Sequence, residues 1–389
     1  MKRVNIGMIG YKFMGKAHSH AFKDVNFFFD LGLTPVRKVI CGRNAEPLKK
    51  AAEKWGWEEY DTSWESVVKH DDLDVIDICT STNTHCDIAV AAAENGKHVF
   101  SEKPLAMNVK EAKKMVEEVE KAQVKHMVGF NYRRVPAITY AKKLIEDGKI
   151  GKIYHWRAAY LQDWIVDPEF PLTWKLRKEV AGSGPHGDLN SHMVDLAHYL
   201  VGDISSVMGM TTNFIKHRKL PAEEKELTTM LTAKSGQGMG EVTVEDASFF
   251  IAKFENGALG SFEATRFAPG RKNYNYFEIY GSEGSIVFNF ERMNELKYFS
   301  LRDEKADQGF RTILVTEEVH PYIKAWWPPG HIIGYENTFV NEFADFLDCL
   351  ERDKLPEPNF RDGLKCQAVL EAALVSAEEG QLIRIEDVL

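Results

Sequence analysis

Cysteine is scarce in this sequence, and no two cysteines stand close enough to form a C-x-x-C pair. The five present, Cys41, Cys79, Cys86, Cys349 and Cys366, are an odd, dispersed set among 389 residues. That excludes a disulfide framework and predicts reduced, cytosolic thiols. Long apolar runs are also missing: none approaches the ~18 residues of a membrane span. Nor is there an excess of positive charge. With 58 acidic against 49 basic residues the formal net charge is −9, which argues against broad nucleic-acid or anionic-membrane binding and leaves room only for a local basic pocket. Internal repeats and low-complexity linkers are absent as well. The opening MKRVNIGMIGYKF has an apolar run too short and too glycine-punctuated for a secretory signal. A cytoplasmic protein is the expectation.

What is present is ordinary globular composition, 44% apolar and 28% charged, in a chain long enough for two domains. Short β-branched runs alternate with helical stretches through the first third. Val4–Ile9, Val36–Cys41, Asp74–Cys79, Lys97–Ser101 and His126–Phe130 read as strands. Stretches 17–28, 45–55, 85–95 and 109–123 read as helices. This alternation predicts βαβ units around a doubly wound parallel sheet, a Rossmann domain over residues 1–131. After about Tyr132 the pattern changes to longer, period-two strands beginning at Ile153–Leu161. Phe249–Phe254 and Ala258–Thr265 flank Asn256-Gly257, which predicts a hairpin with a type I′ turn. Phe277–Tyr280 and Ser285–Phe290 flank a second turn. Helices are expected at Asp188–Leu200, Thr338–Leu350 and Gly363–Glu378, the last capped by Gly380. Residues 132–389 thus read as an α+β domain for substrate binding and oligomerisation, built on a large, mostly antiparallel open sheet.

The segment GMIGYKFMGKAHSH, Gly7–His20, almost spells two phosphate-binding loops. A G-x-x-x-x-G-K-[ST] loop fails at Ala17, which has no hydroxyl for Mg²⁺, and Asp77 is only a weak candidate for the accompanying aspartate. The dinucleotide loop G-x-G-x-x-G fits the strand–turn–helix context. Gly10 makes the tight turn, Gly15 permits close packing, and Lys12 replaces the middle glycine. The helix amino terminus at Phe13 and Met14 supplies N–H groups and a positive dipole end. At the end of the second strand, where NAD-binding folds place a carboxylate, Gly42 and Arg43 stand instead. Arg43 could pair with a 2′-phosphate or stack on adenine, which leaves NAD or NADP open with a lean to NADP.

Further motifs are more specific. KHVFSEKP (Lys97–Pro104), ICTSTNTH (Ile78–His85), GFNYRRVPA (Gly129–Ala137) and AGSGPHGDLNSHMVDLAHYLVG (Ala181–Gly202) occur in order. Together they resemble the Gfo/Idh/MocA family of NAD(P)-dependent oxidoreductases. The resemblance covers essentially the whole chain and departs at Lys12, Ser81 and Asn190. LQDW at Leu161–Trp164, AGSG at Ala181–Gly184 and WPPGH at Trp327–His331 are similar to the branch of levoglucosan and glycoside 3-dehydrogenases. It implies cofactor contacts from Thr80, Ser81, Thr82, His85, Glu102, Lys103 and Asn131, and catalytic roles for Lys103, Asp188 and His192.

The chemistry agrees. Oxidising a secondary alcohol, here expected at C3 of a sugar or glycoside, sends hydride to the nicotinamide while the hydroxyl loses a proton. Asp188 and His192 are four apart, so a regular helix would put them on one face. Histidine titrates near ~6.5, which suits a general base, with Asp188 binding the hydroxyl or orienting the ring. Lys103, at the carboxyl end of a parallel strand, could polarise the reacting oxygen. Asp188, His192, Asp195 and His198 could instead suggest a metal, but 198 is displaced from the face and the HExxH spacing is absent; no metal is expected. Arg134, Tyr160, Gln162, Trp164, Trp174, His186 and His331 offer the aromatic faces and polar groups that suit a sugar ring, although core packing is the plainer role for any tryptophan. Inositol or free-aldose oxidation and keto-sugar reduction use the same groups. A catalytically silent nucleotide sensor needs none of the three catalytic residues. A homodimer or homotetramer, paired through an open sheet face, completes the expectation.

Overall fold

The computed structural model describes residues 2–222 and 234–389 and divides them into two compact units. The first comprises Met1–Asn131 with Gly334–Gln367, the second Tyr132–Ile333 with Ala368–Leu389.

The first unit is built on β1 (Lys2–Ile9), β2 (Leu33–Cys41), β3 (Glu59–Asp61), β4 (Val75–Ile78), β5 (His98–Glu102) and β6 (His126–Gly129). They form one parallel sheet in the order β3-β2-β1-β4-β5-β6. The crossovers run through α1 (Phe13–Phe28), α2 (Ala45–Trp55), α3 (Trp64–Val68), α4 (His85–Glu94) and α5 (Val109–Lys121). Helices on both faces bury β4 and β6 completely, which is why these strands show no alternation of apolar and exposed polar residues. β3 is a three-residue edge strand with no β-branched residue and carries no sequence signal.

The strand order reverses between β1 and β4, so the crevice beyond their carboxyl ends is where such a sheet takes a ligand. Two glycines shape it. Gly10 has φ 110°, and a Cβ there would lie 2.6 Å from the Cys79 carbonyl oxygen. A Cβ at Gly15 would lie 2.1 Å from the Gly10 oxygen. Any other residue at either position would force the loop off the sheet.

The second unit contains α6 (Pro136–Glu146), started by its proline, then β7 (Ile153–Leu161), α7 (Lys178–Ala181) and α8 (Ser191–Leu200). Next come β8 (Ile204–Thr212), β9 (His217–Pro221), β10 (Ser235–Glu241), β11 (Ala247–Phe254) and β12 (Leu259–Thr265), then β13 (Tyr274–Gly281), β14 (Gly284–Asn289), β15 (Glu295–Ser300) and β16 (Arg311–Leu314). After them in chain order follow α9 (Tyr335–Glu351), which belongs to the first unit, α10 (Phe360–Glu379), whose residues are divided between the two, and the short β17 (Ile383–Arg384) of the second. The large sheet runs β16-β15-β14-β13-β7-β12-β11-β8-β17, with β7 and β12 parallel and the other neighbours antiparallel; β9 and β10 pair separately. Its inner face stacks Phe250 on Phe262 at 4.3 Å and Trp156 on Phe277 at 5.1 Å. Gly380, φ 69°, ends α10 and donates to the Ser376 carbonyl at 2.8 Å.

Two details correct the sequence reading. The β11–β12 turn is not type I′, because Asn256 does not take positive φ. Gly257 alone does, at 88°, and its N–H donates to the Phe254 carbonyl at 3.0 Å. This is a type I turn followed by a left-handed glycine. And α9 packs in the first unit: Phe343 lies 4.2 Å from Phe22 and 4.6 Å from Phe100, with Phe346 at 5.5 Å from Phe100. Truncating such a buried phenylalanine costs about 3–5 kcal/mol.

Candidate active site

The dinucleotide loop takes the form its glycines dictate. Lys12 caps α1, and its ammonium lies over the Tyr11 ring, 5.0 Å from the centroid. Phe13 is exposed and stacks 6.3 Å from Tyr335, while Met14 is half-buried behind it. Gly42 is fixed by Tyr11: a Cβ there would sit 2.3 Å from the ring. Arg43 beside it is exposed. Beyond β4, Thr80 and Thr84 join their hydroxyls at 2.7 Å, and Thr82 is buried. Ser81 has φ −75° and ψ 149°, a conformation proline also adopts, so serine follows the path of the motif's usual proline. Asn131 is buried and donates to the Thr338 hydroxyl at 2.8 Å.

Lys103 follows β5 and is half-buried. Glu102 and His85, expected as cofactor contacts, are both buried in the first unit. Glu102 is 3% exposed; its Oε2 accepts from the Lys103 N–H at 3.1 Å and its Oε1 lies 3.1 Å from His18 Nε2. The other His18 nitrogen is 3.0 Å from both oxygens of Asp77 and 3.1 Å from Cys79 Sγ. Burial works against a charge on His18, but the Asp77 carboxylate and the hydrogen bonds to Asp77 and Cys79 outweigh it and hold the imidazole well above its ordinary pKa. Burial, reinforced by Asp77, pushes the Cys79 thiol up. His18, Asp77 and Cys79 hold ligand-type atoms within 4.8 Å of one another, and the carboxylate–imidazolium pairing accounts for their approach. His85 is 1% exposed, with Nδ1 3.1 Å from the Pro104 oxygen and Nε2 3.2 Å from the Thr80 oxygen. Burial lowers its pKa.

In the second unit, Asp188 and His192 do not share one regular α-helix as the spacing predicts. Residues His186–Asn190 form a π-helical turn that leads into α8. Such a turn widens the helix and changes the angular step between residues; these turns are frequent at functional sites. Asp188 Oδ2 takes the Lys175 ammonium at 2.8 Å and the buried Arg266 guanidinium at 2.6 Å. Its charge is thereby matched by two cations that lie 13 and 78 residues away in sequence, beyond any local spacing rule. His192 is 5% exposed and packs against the Tyr132 ring at 4.4 Å and the Tyr160 ring at 6.0 Å. Asp195 pairs with Arg133, at 2.6 Å from Nη2 and 2.9 Å from Nε, both residues buried.

A polar chain extends from that ring stack. The hydroxyls of Tyr132 and Tyr160 are 2.7 Å apart, and Tyr160 donates to Asn273 Oδ1 at 2.7 Å. Gln162 Nε2 donates to the same oxygen at 3.0 Å, and the Trp164 indole N–H donates to Gln162 Oε1 at 2.7 Å. The Trp164 ring lies 5.1 Å from the Arg266 guanidinium, and behind it pack Phe170 and the buried cluster of Ile165, Leu172 and Val244. Trp164 therefore combines core packing with a place in the polar chain. Trp174 carries the Lys175 ammonium 5.5 Å over its ring. Arg134 is buried on the short turn Asn131–Arg134.

Two expected substrate residues stand apart from this chain. His186 is fully buried, with one ring nitrogen 2.8 Å from the Ser248 hydroxyl and the other 2.8 Å from the Leu370 oxygen. His331 is exposed and turns its Nδ1 to the nearby Pro328 carbonyl at 2.9 Å. Conversely, Tyr132, Asn273, Arg266 and Lys175 were not anticipated. Tyr132 lies between Asn131 and Arg134 in the GFNYRRVPA motif and was open to inference from it.

Comparison with known proteins agrees with these features. Residues 4–130 match the family model described as an oxidoreductase family with an NAD-binding Rossmann fold, and residues 138–287 match the GFO/IDH/MocA C-terminal domain. The chain is 42% identical to levoglucosan dehydrogenase of Pseudarthrobacter phenanthrenivorans over the whole of both proteins. Among solved structures, an oxidoreductase domain protein from Kribbella flavida is 48% identical with a TM-score of 0.93, covering 99% of this chain and all of that one. Levoglucosan dehydrogenase in complex with NADH and levoglucosan is 42% identical with a TM-score of 0.93, covering 98% of this chain and 99% of that one.

Proposed function

The chain belongs to the Gfo/Idh/MocA family of NAD-binding oxidoreductases, and from that premise we propose that it oxidises a ring hydroxyl of a sugar, glycoside or anhydrosugar. The C3 carbinol becomes a ketone: its hydroxyl gives its proton to His192, and bound NAD would accept the hydride that leaves the C3 carbon. Lys103 polarises the reacting oxygen and lowers the cost of the developing alkoxide. Asp188 orients rather than accepts the proton, because its charge is already matched by Lys175 and Arg266. The bound coenzyme supplies the hydride acceptor; the glycine-shaped crevice after β1 and the α1 amino terminus fit its pyrophosphate.

The observation that carries this reading is the chain of tyrosine hydroxyls, amides and an indole that ends on the His192 ring. It combines flat aromatic faces with fixed donors and acceptors, which is what a polyhydroxylated ring needs. NAD is the coenzyme in this reading. Gly42 is set by the Tyr11 ring packed on it, so the missing carboxylate carries no preference for a 2′-phosphate. The exposed Met208, Met210, Phe249, Ile251 and Leu259 on the outer face of the large sheet form the pairing surface of a homodimer or a dimer of dimers. Among the described residues no helix is long and apolar enough to cross a membrane.

The test pairs NAD or NADP with levoglucosan, methyl glucosides, free glucose and myo-inositol, following nicotinamide absorbance and identifying the product by NMR. NAD-dependent turnover of levoglucosan or a glycoside to a 3-keto product is expected. Turnover of inositol or free glucose alone would contradict the substrate class, and silence across the panel would contradict the activity.

A further inference from the structure

Two buried histidines of the first unit address backbone and side-chain atoms on either side of Lys103, and neither is used by the reaction proposed above. We propose that His18 and His85 are positioning residues that clamp the Lys103 turn from its two flanks, His18 through Glu102 and His85 through the Pro104 carbonyl. The inference rests on the assignment of Lys103 to the reacting oxygen.

The upstream arm is a continuous chain. Asp77 on β4 holds His18 Nδ1 at 3.0 Å; His18 Nε2 meets Glu102 Oε1 at 3.1 Å; Glu102 Oε2 accepts the Lys103 N–H at 3.1 Å. Every residue in it except Lys103 is at most 3% exposed. The imidazolium stands between two buried carboxylates, so each oxygen of Glu102 has a fixed partner and the group cannot rotate without leaving a buried charge unmet. Phe100 and Phe343 close on the ring edge-on at 5.5 and 5.0 Å, which fixes its plane. The downstream arm is shorter. His85 Nδ1 lies 3.1 Å from the Pro104 oxygen, one residue past Lys103, and Nε2 lies 3.2 Å from the Thr80 oxygen at the end of β4. A neutral ring has one N–H to donate; donation from Nδ1 ties the Lys103 turn.

A clamp of this kind answers a specific need. Lysine carries its charge on a flexible four-carbon stem, so its ammonium is only as well placed as the backbone that bears it. Catalytic groups must be held to within about 0.5 Å by such supporting contacts. His126, also buried in the same unit, accepts from the Phe360 N–H at 3.1 Å and packs on the Phe360 ring at 4.8 Å, and among the described residues it makes no hydrogen bond to the turn. It is the built-in control for a histidine that serves the fold alone.

The experiment uses the full chain with NAD and levoglucosan. It compares His85→Leu, His85→Gln, Glu102→Leu, Glu102→Gln, Lys103→Met and His126→Gln by kcat, KM, the dissociation constant of NAD and thermal midpoint. His85→Leu and Glu102→Leu are expected to lower kcat by roughly 30-fold or more while KM and NAD binding stay within about three-fold. The glutamine variants, which keep a donor or acceptor, should recover most of that loss. His126→Gln should lower the thermal midpoint with little change in kcat. Should the leucine variants prove unstable, the glutamine pair measured against His126→Gln at equal thermal midpoint decides the same question. If kcat in these variants falls no further than in His126→Gln while Lys103→Met abolishes turnover, the clamp is wrong and the function stands. If Lys103→Met itself turns over normally, the proposed function fails with it.

Discussion

Strand β4 in the first unit reads Val-Ile-Asp-Ile with every residue buried, whereas β11 in the second alternates buried and exposed from Ser248 to Phe254. One sheet is covered on both faces by helices, and the other turns one face out. The difference changes what a polar residue means. In β4, Asp77 is tolerated only because His18 meets it at 3.0 Å, and that pairing ends at the Lys103 turn. On the large sheet the outer face is open to solvent, so polar residues such as Arg157 and Glu278 pair there at the surface while apolar ones such as Met210 and Ile251 remain exposed. In our proposals, buried charge in the first unit positions the Lys103 turn, while exposed apolar area in the second is the surface through which copies pair.

The contrast is sharpest for one substitution made in each sheet. Ile76→Asp in β4 puts a carboxylate where both faces are closed and is expected to cost more than about 4 kcal/mol, enough to unfold the unit; loss of the cooperative urea transition would report it. A smaller effect distinguishes the buried histidines. His126 is lowered from 6.5 to about 4 by burial, then by Arg361 and Lys125. It is neutral in the fold while the unfolded chain binds a proton, so stability is lost as pH falls from 6.5 towards 4. At about 1.36 kcal/mol per unit the limit is about 3 kcal/mol. His18, raised instead, contributes stability below its unfolded pKa that is lost as pH rises through the folded one. Urea midpoints from pH 7 to 4.5 should fall in the wild type and fall less in His126→Gln. The smallest effect belongs to the open face: Ile251→Asp should change subunit stability by no more than ~0.5 kcal/mol yet shift the mass in solution to that of a monomer. A cooperative collapse there would show the face is core rather than interface.

Much of this was legible in the sequence. The Rossmann strands stand out because closure on both faces makes them short, mostly apolar runs between helical stretches, and the glycines at 10 and 15 are dictated by contacts of 2.6 and 2.1 Å. The alternation after Ile153 announces the second sheet. What was not legible depends on long-range pairing. The π-helical turn His186–Asn190 has no spacing signature, so Asp188 and His192 read as one α-helical face. Arg266 and Lys175 reach Asp188 from distant segments, and Asn273 joins Tyr160 across 113 residues. His186 looked like a ligand-binding residue because the partners that enclose it, Ser248 and Leu370, lie 62 and 184 residues on.

The central claim is that the Lys103 amine and the His192 imidazole both act in the hydride-transfer step. Stopped-flow mixing of the NAD complex with levoglucosan, following nicotinamide reduction, measures that step directly. Lys103→Met and His192→Gln should each slow it by at least about 100-fold while NAD affinity changes little. Hydride transfer at the wild-type rate in either variant would contradict the account.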